Sequence, residues 1–318
     1  MENYDFEEIE NEMIIGSLNR LVKERFDRYK RSEKIIDLHS HSVYSDGEKT
    51  PNELLNLAID KNIGVYAITD HDNLDGIKFL RENYSDLISE SGIKVVNGIE
   101  LSAQVDKGTM HILGYDFDIY NKELNDRLKE LKNNSMYSMI SYFNDLKNTY
   151  GIRFSNEEIL EILNSKGNIG RPHLAKLLIK HGYVKSVQEA FDLYLHDMYE
   201  RMRKLNKKIT YEECIELIKN AGGYAILAHP YQLKQTNEEL EETIKNMISC
   251  GLDGIELYHS NHTKEQIKFY KQLIEKYNLL YSVGSDYHGP HVKPSIELGS
   301  GINGNLNKKE ATLLRKIK

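Results

Sequence analysis

From Ile35 onward the chain alternates short apolar runs with longer stretches in which apolar residues recur at helical spacing. The runs "IIDL" (35–38), "VYAIT" (65–69), "IKVVNGIEL" (93–101) and "MHILGYD" (110–116) read as strands, and their alternation with amphipathic helices predicts βα units around a largely parallel sheet. The first helix is well marked, with Thr50 as N-cap, Pro51 as its first residue and Glu53 as capping-box partner. Between about Asn121 and Ala221 no strand-like run occurs, while Ser155 and Thr210 each stand three residues before a Glu and head an apolar helical stripe. This interval reads as a helical insertion. Strand-like runs resume with "YAILAH" (224–229), "GIELY" (254–258) and "LLYSVGSD" (279–286), and seven in all suit a barrel better than an open sheet. In residues 1–33, Ile14, Leu18, Leu21, Val22 and Phe26 fall near helical spacing, which predicts a helical extension packed on the barrel or on a second subunit. The expected organisation is an α/β chain with an N-terminal helical extension at 1–33, a barrel built from 34–120 and 222–318, and an inserted helical subdomain at 121–221.

Composition narrows the function classes. With 318 residues, 40% of them hydrophobic, the chain has material for a sizeable core, and its apolar runs are far too short to span a membrane. The charged start "MENYDFEEIENE" lacks the basic end and apolar stretch of a secretory signal, so a cytoplasmic location is expected. The two cysteines, Cys214 and Cys250, are expected inside helices as small buried apolar residues, with neither a disulfide nor a zinc site. A net charge of -7 argues against a coat on double-stranded nucleic acid, whose binding relies on neutralising phosphates with Lys and Arg, but it leaves room for a nucleotide or short oligonucleotide in a pocket.

Ligand chemistry is densest in "DLHSHSVYSDG" (37–47), where His39 and His41, two apart on an extended segment, leave the same face and can grip one ion. A lone His-x-His pair is weak, and Asp46 before Gly47 could be a simple turn residue. The pattern gains force by recurring. Asp70, His71 and Asp72 follow the second run, Glu100 ends the third, His111 lies on the fourth, His229 ends the fifth, and Asp286 and His288 end the seventh. Barrel sites are built at strand ends, and grouped buried polar side chains cost free energy unless paired or metal-bound, so packing alone explains this set poorly. His259 and His262, in "YHSNHT", fit no place in it and read as supporting or surface residues, with Thr263 capping the next helix. His181, His196 and His291 have no supporting context.

In this order, "DLHSHSVYSDG", "ITDHDN", "GIELS", "HILGY", "AHP" and "GSDYHG" resemble the motifs of the PHP (polymerase and histidinol phosphatase) superfamily of metal-dependent phosphoesterases, from about Ile35 to Gly301. The resemblance implies a distorted (β/α)7 barrel with two to three divalent ions, Mn, Fe or Zn, in a trinuclear centre at its mouth. It implies that His39, His41, Glu100 and Asp286 hold one ion, that Glu100 bridges to a second bound by His111 and His229, and that Asp46, His71 and His288 hold the third. "NIGRPHLA" (168–175) is similar to segments in the branch containing 3',5'-nucleotide bisphosphatases and the 5'-to-3' exoribonuclease RNase AM, which implies phosphate contacts for Arg171 and His173. Tyr44, in the loop of the first motif, either adds a hydroxyl near the phosphate or simply packs. A metal-bound hydroxide would then attack phosphorus, with Asp70 or Asp72 orienting ligands and His229 or a bound water protonating the leaving oxygen. The expected substrate is a nucleotide bisphosphate or a short 5'-phosphorylated RNA. The alternatives are a histidinol-phosphate-type phosphatase and a non-catalytic regulatory module.

Overall fold

The apolar runs pair in strict sequence order into one seven-stranded sheet, β1 (Ile35–Asp37), β2 (Ile63–Ile68), β3 (Lys94–Ala103), β4 (Met110–Tyr115), β5 (Tyr224–Leu227), β6 (Gly254–His259) and β7 (Leu280–Gly284). This computed structural model describes residues 34–105, 107–164, 169–198 and 209–317, so the helical extension expected at 1–33 lies outside the described residues. The sheet nearly closes. Leu38 N–H donates to the Val283 carbonyl at 2.9 Å, Asp286 N–H to the His39 carbonyl at 2.8 Å, and Ser40 bridges Tyr287. A side chain at Gly284 would place its Cβ 2.1 Å from His39 Cβ, so only glycine lets β7 approach β1 beside the site.

The sheet is parallel from β1 to β3 and from β5 to β7, but β4 runs antiparallel to both its neighbours. His111 is therefore not at the end of its strand, as a uniform βα repeat would have it. It is the second residue of β4, and the reversal brings that start to the rim where the other strands end, with His111 on the sheet opposite Ser102.

Helices α1 (Pro51–Asp60), α2 (Asp75–Asn83) and α3 (Ser85–Ser91) lie among the first strands, and α9 (Asn237–Ser249) and α10 (Lys264–Tyr277) among the last. Period-two alternation divides each strand between two environments. Along β2, Tyr66 and Ile68 pack outward against helices, while Val65 and Ala67 join Ile36, Leu38, Val96, Leu113, Tyr115, Ile226 and Val283 inside the barrel. Leu306, Ala311, Leu313 and Ile317 of the C-terminal segment complete this inner cluster. The Glu53 carboxylate accepts from both the N–H and the hydroxyl of Thr50 at 2.8 and 2.7 Å, as the capping-box reading of α1 predicts.

Between β4 and β5 come α4 (Lys122–Tyr150), α5 (Asn156–Leu163), α6 (Arg171–Lys180), the short α7 (Val187–Ala190) running into a π turn at Phe191–Leu195, and α8 (Tyr211–Asn220). Ser155 Oγ accepts from Glu158 N–H at 3.2 Å and Thr210 Oγ1 from Glu213 N–H at 3.3 Å, so both expected caps form. Two packings share this interval. Leu124 and Leu128 of α4, and Cys214, Ile215 and Ile218 of α8, belong to the barrel's outer core, whereas residues from Met139 to Met198 enclose an apolar cluster of their own. Cys214 is buried within its helix, but Cys250 is exposed: α9 stops at Ser249, and the chain turns at Gly251 with φ 101°. Among the described residues no helix is long and apolar enough to cross a membrane.

Candidate metal centre

Glu100, buried near the rim end of β3, is the centre of the rim cluster. Its Oε2 lies 3.2 Å from His39 Nε2, 3.1 Å from His41 Nε2 and 3.2 Å from His71 Nδ1. Its Oε1 lies 2.8 Å from His111 Nδ1 and 2.9 Å from His229 Nε2. Asp286 Oδ1 adds contacts of 3.6 Å to His39 and 3.3 Å to His41. Nearer solvent, Asp46 Oδ1 lies 3.2 Å from His288 Nε2 and 3.6 Å from His41 Nδ1, and Asp46 Oδ2 lies 3.9 Å from His71 Nε2. The nine residues singled out in sequence thus stand together. Asp46, with its side chain 51% exposed, marks the open side, while His39, His41 and Glu100 are buried.

The donor set fits divalent cations. An ion with N and O ligands at about 2.0–2.2 Å holds neighbouring ligand atoms roughly 3–3.5 Å apart, and the contacts around both oxygens of Glu100 fall in or near that range. His41 Nε2 is buried without a hydrogen-bond partner although it faces two carboxylates, which leaves it aimed at a shared point between them. Three groups, His39/His41/Glu100, His71/Glu100/His111 and His41/Asp46/His71/His288, bring their donor atoms within 4.8 Å of one another.

Outer partners set the imidazole tautomers. His39 Nδ1 donates to Glu256 Oε1 at 2.9 Å, which fixes the ring with Nε2 facing Glu100. His288 Nδ1 donates to the Asp286 carbonyl at 2.9 Å, leaving Nε2 for Asp46. Asp70 takes hydroxyl bonds from Ser42 at 2.6 Å and Ser45 at 2.7 Å, and Ser45 Oγ lies 3.3 Å from His41 Nδ1, so Asp70 reaches His41 through one hydroxyl. Asp72 accepts from Ser102 N–H at 2.8 Å and donates its own N–H to the Glu100 carbonyl at 2.9 Å, tying the segment after β2 to β3. Asp72, His229 and Asp286 have φ of 45°, 23° and 60°, left-handed values that cost of order 1–3 kcal/mol each.

Electrostatics follow from this crowding. Burial alone would raise Glu100, but His71, His111 and His39 hold it well below the usual carboxylate range. Burial acts the same way on Asp286 and is outweighed by His259, His39, His41 and Lys293. Burial would lower His39, yet Glu100, Glu256 and Asp286 raise it well above its ordinary value. His111 goes the other way, to about 4, mainly through burial.

The residues expected to meet substrate are less gathered. Arg171 opens α6 with its guanidinium carbon 5.3 Å from the centre of the Phe191 ring. His173, half-buried two residues on, accepts the Gly170 N–H on Nδ1 at 3.2 Å, and burial holds it below its ordinary value. Tyr44 lies with its ring 6.4 Å from Phe79 and its backbone fastened to Ser42 and Asn73, beside the mouth loop.

Sequence reasoning passed over three participants. Glu256 accepts from His39 and, through Oε2, from the His229 N–H at 2.8 Å, and it is held down to about 2 because His39 and His259 outweigh burial. Asp37 accepts the N–H groups of His39, Ser285 and Gly299 at 3.2, 2.9 and 2.6 Å, fastening β1 to β7. The available signal was a single carboxylate inside each apolar run. Lys293 Nζ lies 2.6 Å from Asp286 Oδ2 and carried no local signal. His259 is buried with Nε2 3.3 Å from Asp286 Oδ2, and His262, also buried, donates Nδ1–H to the Leu257 carbonyl, so neither is a surface residue.

A nearly closed seven-stranded barrel with this imidazole and carboxylate rim is the architecture of the PHP phosphoesterases. The chain matches the PHP domain over residues 37–279, and it belongs to that family. It is 30% identical over 270 residues, 85% of this chain and 95% of the relative, to a 5'-3' exoribonuclease of Haemophilus influenzae. It is 28% identical over 255 residues, 80% of this chain and 87% of the relative, to a 3',5'-nucleoside bisphosphate phosphatase of Chromobacterium violaceum. A solved structure from Bifidobacterium adolescentis, assigned as a metal-dependent phosphoesterase, superposes with a TM-score of 0.69 at 25% identity, covering 90% of this chain and 96% of that one. The chain is accordingly an enzyme, a metal-dependent phosphoric ester hydrolase.

Proposed function

We propose that this enzyme hydrolyses phosphate esters of nucleotides, either 3',5'-nucleoside bisphosphates or short 5'-phosphorylated oligoribonucleotides, at a rim that holds up to three Mn, Fe or Zn ions. The observation that carries the reading is the split environment of Glu100, whose two oxygens face two different sets of imidazoles. His39, His41 and Asp286 would hold one ion with Oε2, His111 and His229 a second with Oε1, and Asp46, His71 and His288 the outermost. Bound there, the ions supply a nucleophile at neutral pH and neutralise charge building on the phosphoryl oxygens.

The remaining roles fall to the chain itself. Glu256, Asp70 and Asp37 hold imidazoles and strand ends in register before substrate arrives. Asp72 does the same for the segment carrying His71. Arg171 offers a planar cation at the first turn of α6, and His173 Nε2 a donor, so the insertion supplies contacts to a second phosphate away from the scissile one. His229 is buried with Nε2 turned to Glu100 and is better placed as a ligand than as the donor of a proton to the leaving oxygen; solvent at the Asp46 side meets that need. The activities of the two relatives, an exoribonuclease and a nucleoside bisphosphate phosphatase, favour this class over histidinol phosphate.

Metal analysis of the purified protein, followed by phosphate release from a 3',5'-bisphosphate nucleotide, a short 5'-phosphorylated RNA and histidinol phosphate, tests the reading. We expect a nucleotide substrate to lead in kcat/KM by at least about tenfold. Preferred turnover of histidinol phosphate would sink the substrate assignment, and a metal-free wild type would sink the site.

A further inference from the structure

The two oxygens of the Asp286 carboxylate have different surroundings. Oδ1 faces His39 and His41 at 3.6 and 3.3 Å. Oδ2 receives Lys293 Nζ at 2.6 Å and His259 Nε2 at 3.3 Å, and neither of these residues is among the nine at the rim. The geometry on each side is built. Lys293 stands seven residues beyond Asp286 and returns to it because the chain turns at Gly289, where φ is 110° and a Cβ would fall 2.5 Å from Glu48 Oε2. Lys293 N–H closes that turn on the Gly289 carbonyl at 2.9 Å. Glu48 pins it from outside through His291 Nδ1 at 3.1 Å and through its own N–H to the His288 carbonyl at 2.9 Å. On the other side, the buried His259 ring accepts the Asn261 N–H on Nδ1 at 3.1 Å, so the ring proton sits on Nε2 and points to Oδ2.

We propose that Lys293 and His259 are positioning residues that clamp Oδ2 of Asp286, so that this carboxylate presents Oδ1 alone to a divalent ion shared with His39, His41 and Glu100. The inference rests on the ligand role given to Asp286 above. An unclamped aspartate can turn about its Cβ–Cγ bond and offer either oxygen, or both. A charge-assisted bond to one oxygen removes those alternatives, and outer partners of this kind commonly set 10–100-fold in metal affinity. The opposite arrangement, in which the Lys293 ammonium competes with the ion for Asp286, predicts a change of the opposite sign.

The test uses the full chain, stripped with a chelator and titrated with Mn2+ by calorimetry, with kinetics on a 3',5'-bisphosphate nucleotide at rising Mn2+. Lys293→Met should weaken the tightest Mn2+ step by about 10–100-fold, with activity returning at high Mn2+ and KM for the nucleotide within about twofold of wild type. Lys293→Arg, which keeps a cationic donor, should restore most of the affinity, and His259→Ala should weaken the same step. Equal or tighter Mn2+ binding by a folded Lys293→Met overturns the clamp. So does a raised KM at unchanged Mn2+ affinity, which would make Lys293 a substrate contact. A wild type that takes up no Mn2+ overturns the ligand reading first and the clamp with it, and it is recognised before any variant is compared.

Discussion

The rim of the barrel and the Met139–Met198 cluster are built on opposite principles. At the rim, residues from His39 to His288 converge from all along the sequence, and much of what they bury is ionisable. Such a core gains little from desolvation and requires partners or ions for its charges. The insertion is local and apolar: Met139, Phe143, Leu146, Leu174, Leu178 and Leu195 pack over a short span, with ion pairs such as Lys180–Glu158 at 2.8 Å left outside. A change in the insertion should alter stability or substrate choice while sparing ion binding, and a change at the rim should do the reverse.

Four changes put that contrast at risk, beginning with the most severe. Glu100→Gln should cut phosphate release by about 10³-fold or more, since several kcal/mol of charge stabilisation depend on the ions it holds, and metal analysis should show lost ion. If the variant keeps both metal and activity, the rim is not organised around Glu100. Leu178→Ala should remove about 2–5 kcal/mol from the insertion cluster and speed hydrogen exchange there, with metal content unchanged. Metal loss in this variant would show that the two regions do not separate. Arg171→Ala should raise KM for a bisphosphate nucleotide about 10–100-fold and leave kcat nearly intact; an equal fall in kcat would move Arg171 from binding into the chemical step. The smallest effect belongs to Glu158, which Lys180 and His181 hold down to about 2. Its folded pKa is depressed, so its contribution is present above the ordinary value of 4.5 and fades as pH falls toward 2. The Tm difference between wild type and Glu158→Gln should be slight near pH 5 and vanish in acid, and a difference that grows on acidification would reverse the assignment.

Much of this was legible in the chain. Strands announced themselves by short apolar runs, and the rim by imidazoles and carboxylates at or near the ends of those runs, because a barrel that places its site at one end has little freedom in where the ligands stand. What escaped has physical reasons. A strand of period two reads the same in both directions, so nothing in "MHILGYD" disclosed that β4 is reversed. Glu256 and Asp37 each look like one polar interruption of an apolar run, and only the closed sheet reveals that they point at histidines or at backbone N–H groups. Lys293 depends on a turn that no local pattern announces.

The reversal of β4 also sets the height of the insertion. Since β4 starts at the rim, it ends at the opposite mouth of the barrel, and the chain leaves for the insertion from the wrong side. Helix α4 brings it back: Asn121 contacts Asn220 at the far end of α8, Arg127 contacts Glu213 about two turns nearer its start, and Met139 to Leu146 already belong to the apolar cluster beyond. With 29 residues, α4 spans about 43 Å and works as a ruler. Deleting one turn would lower the apolar cluster it carries by roughly 5 Å, and, on the proposed phosphate contacts of Arg171 and His173, would shorten the preferred substrate.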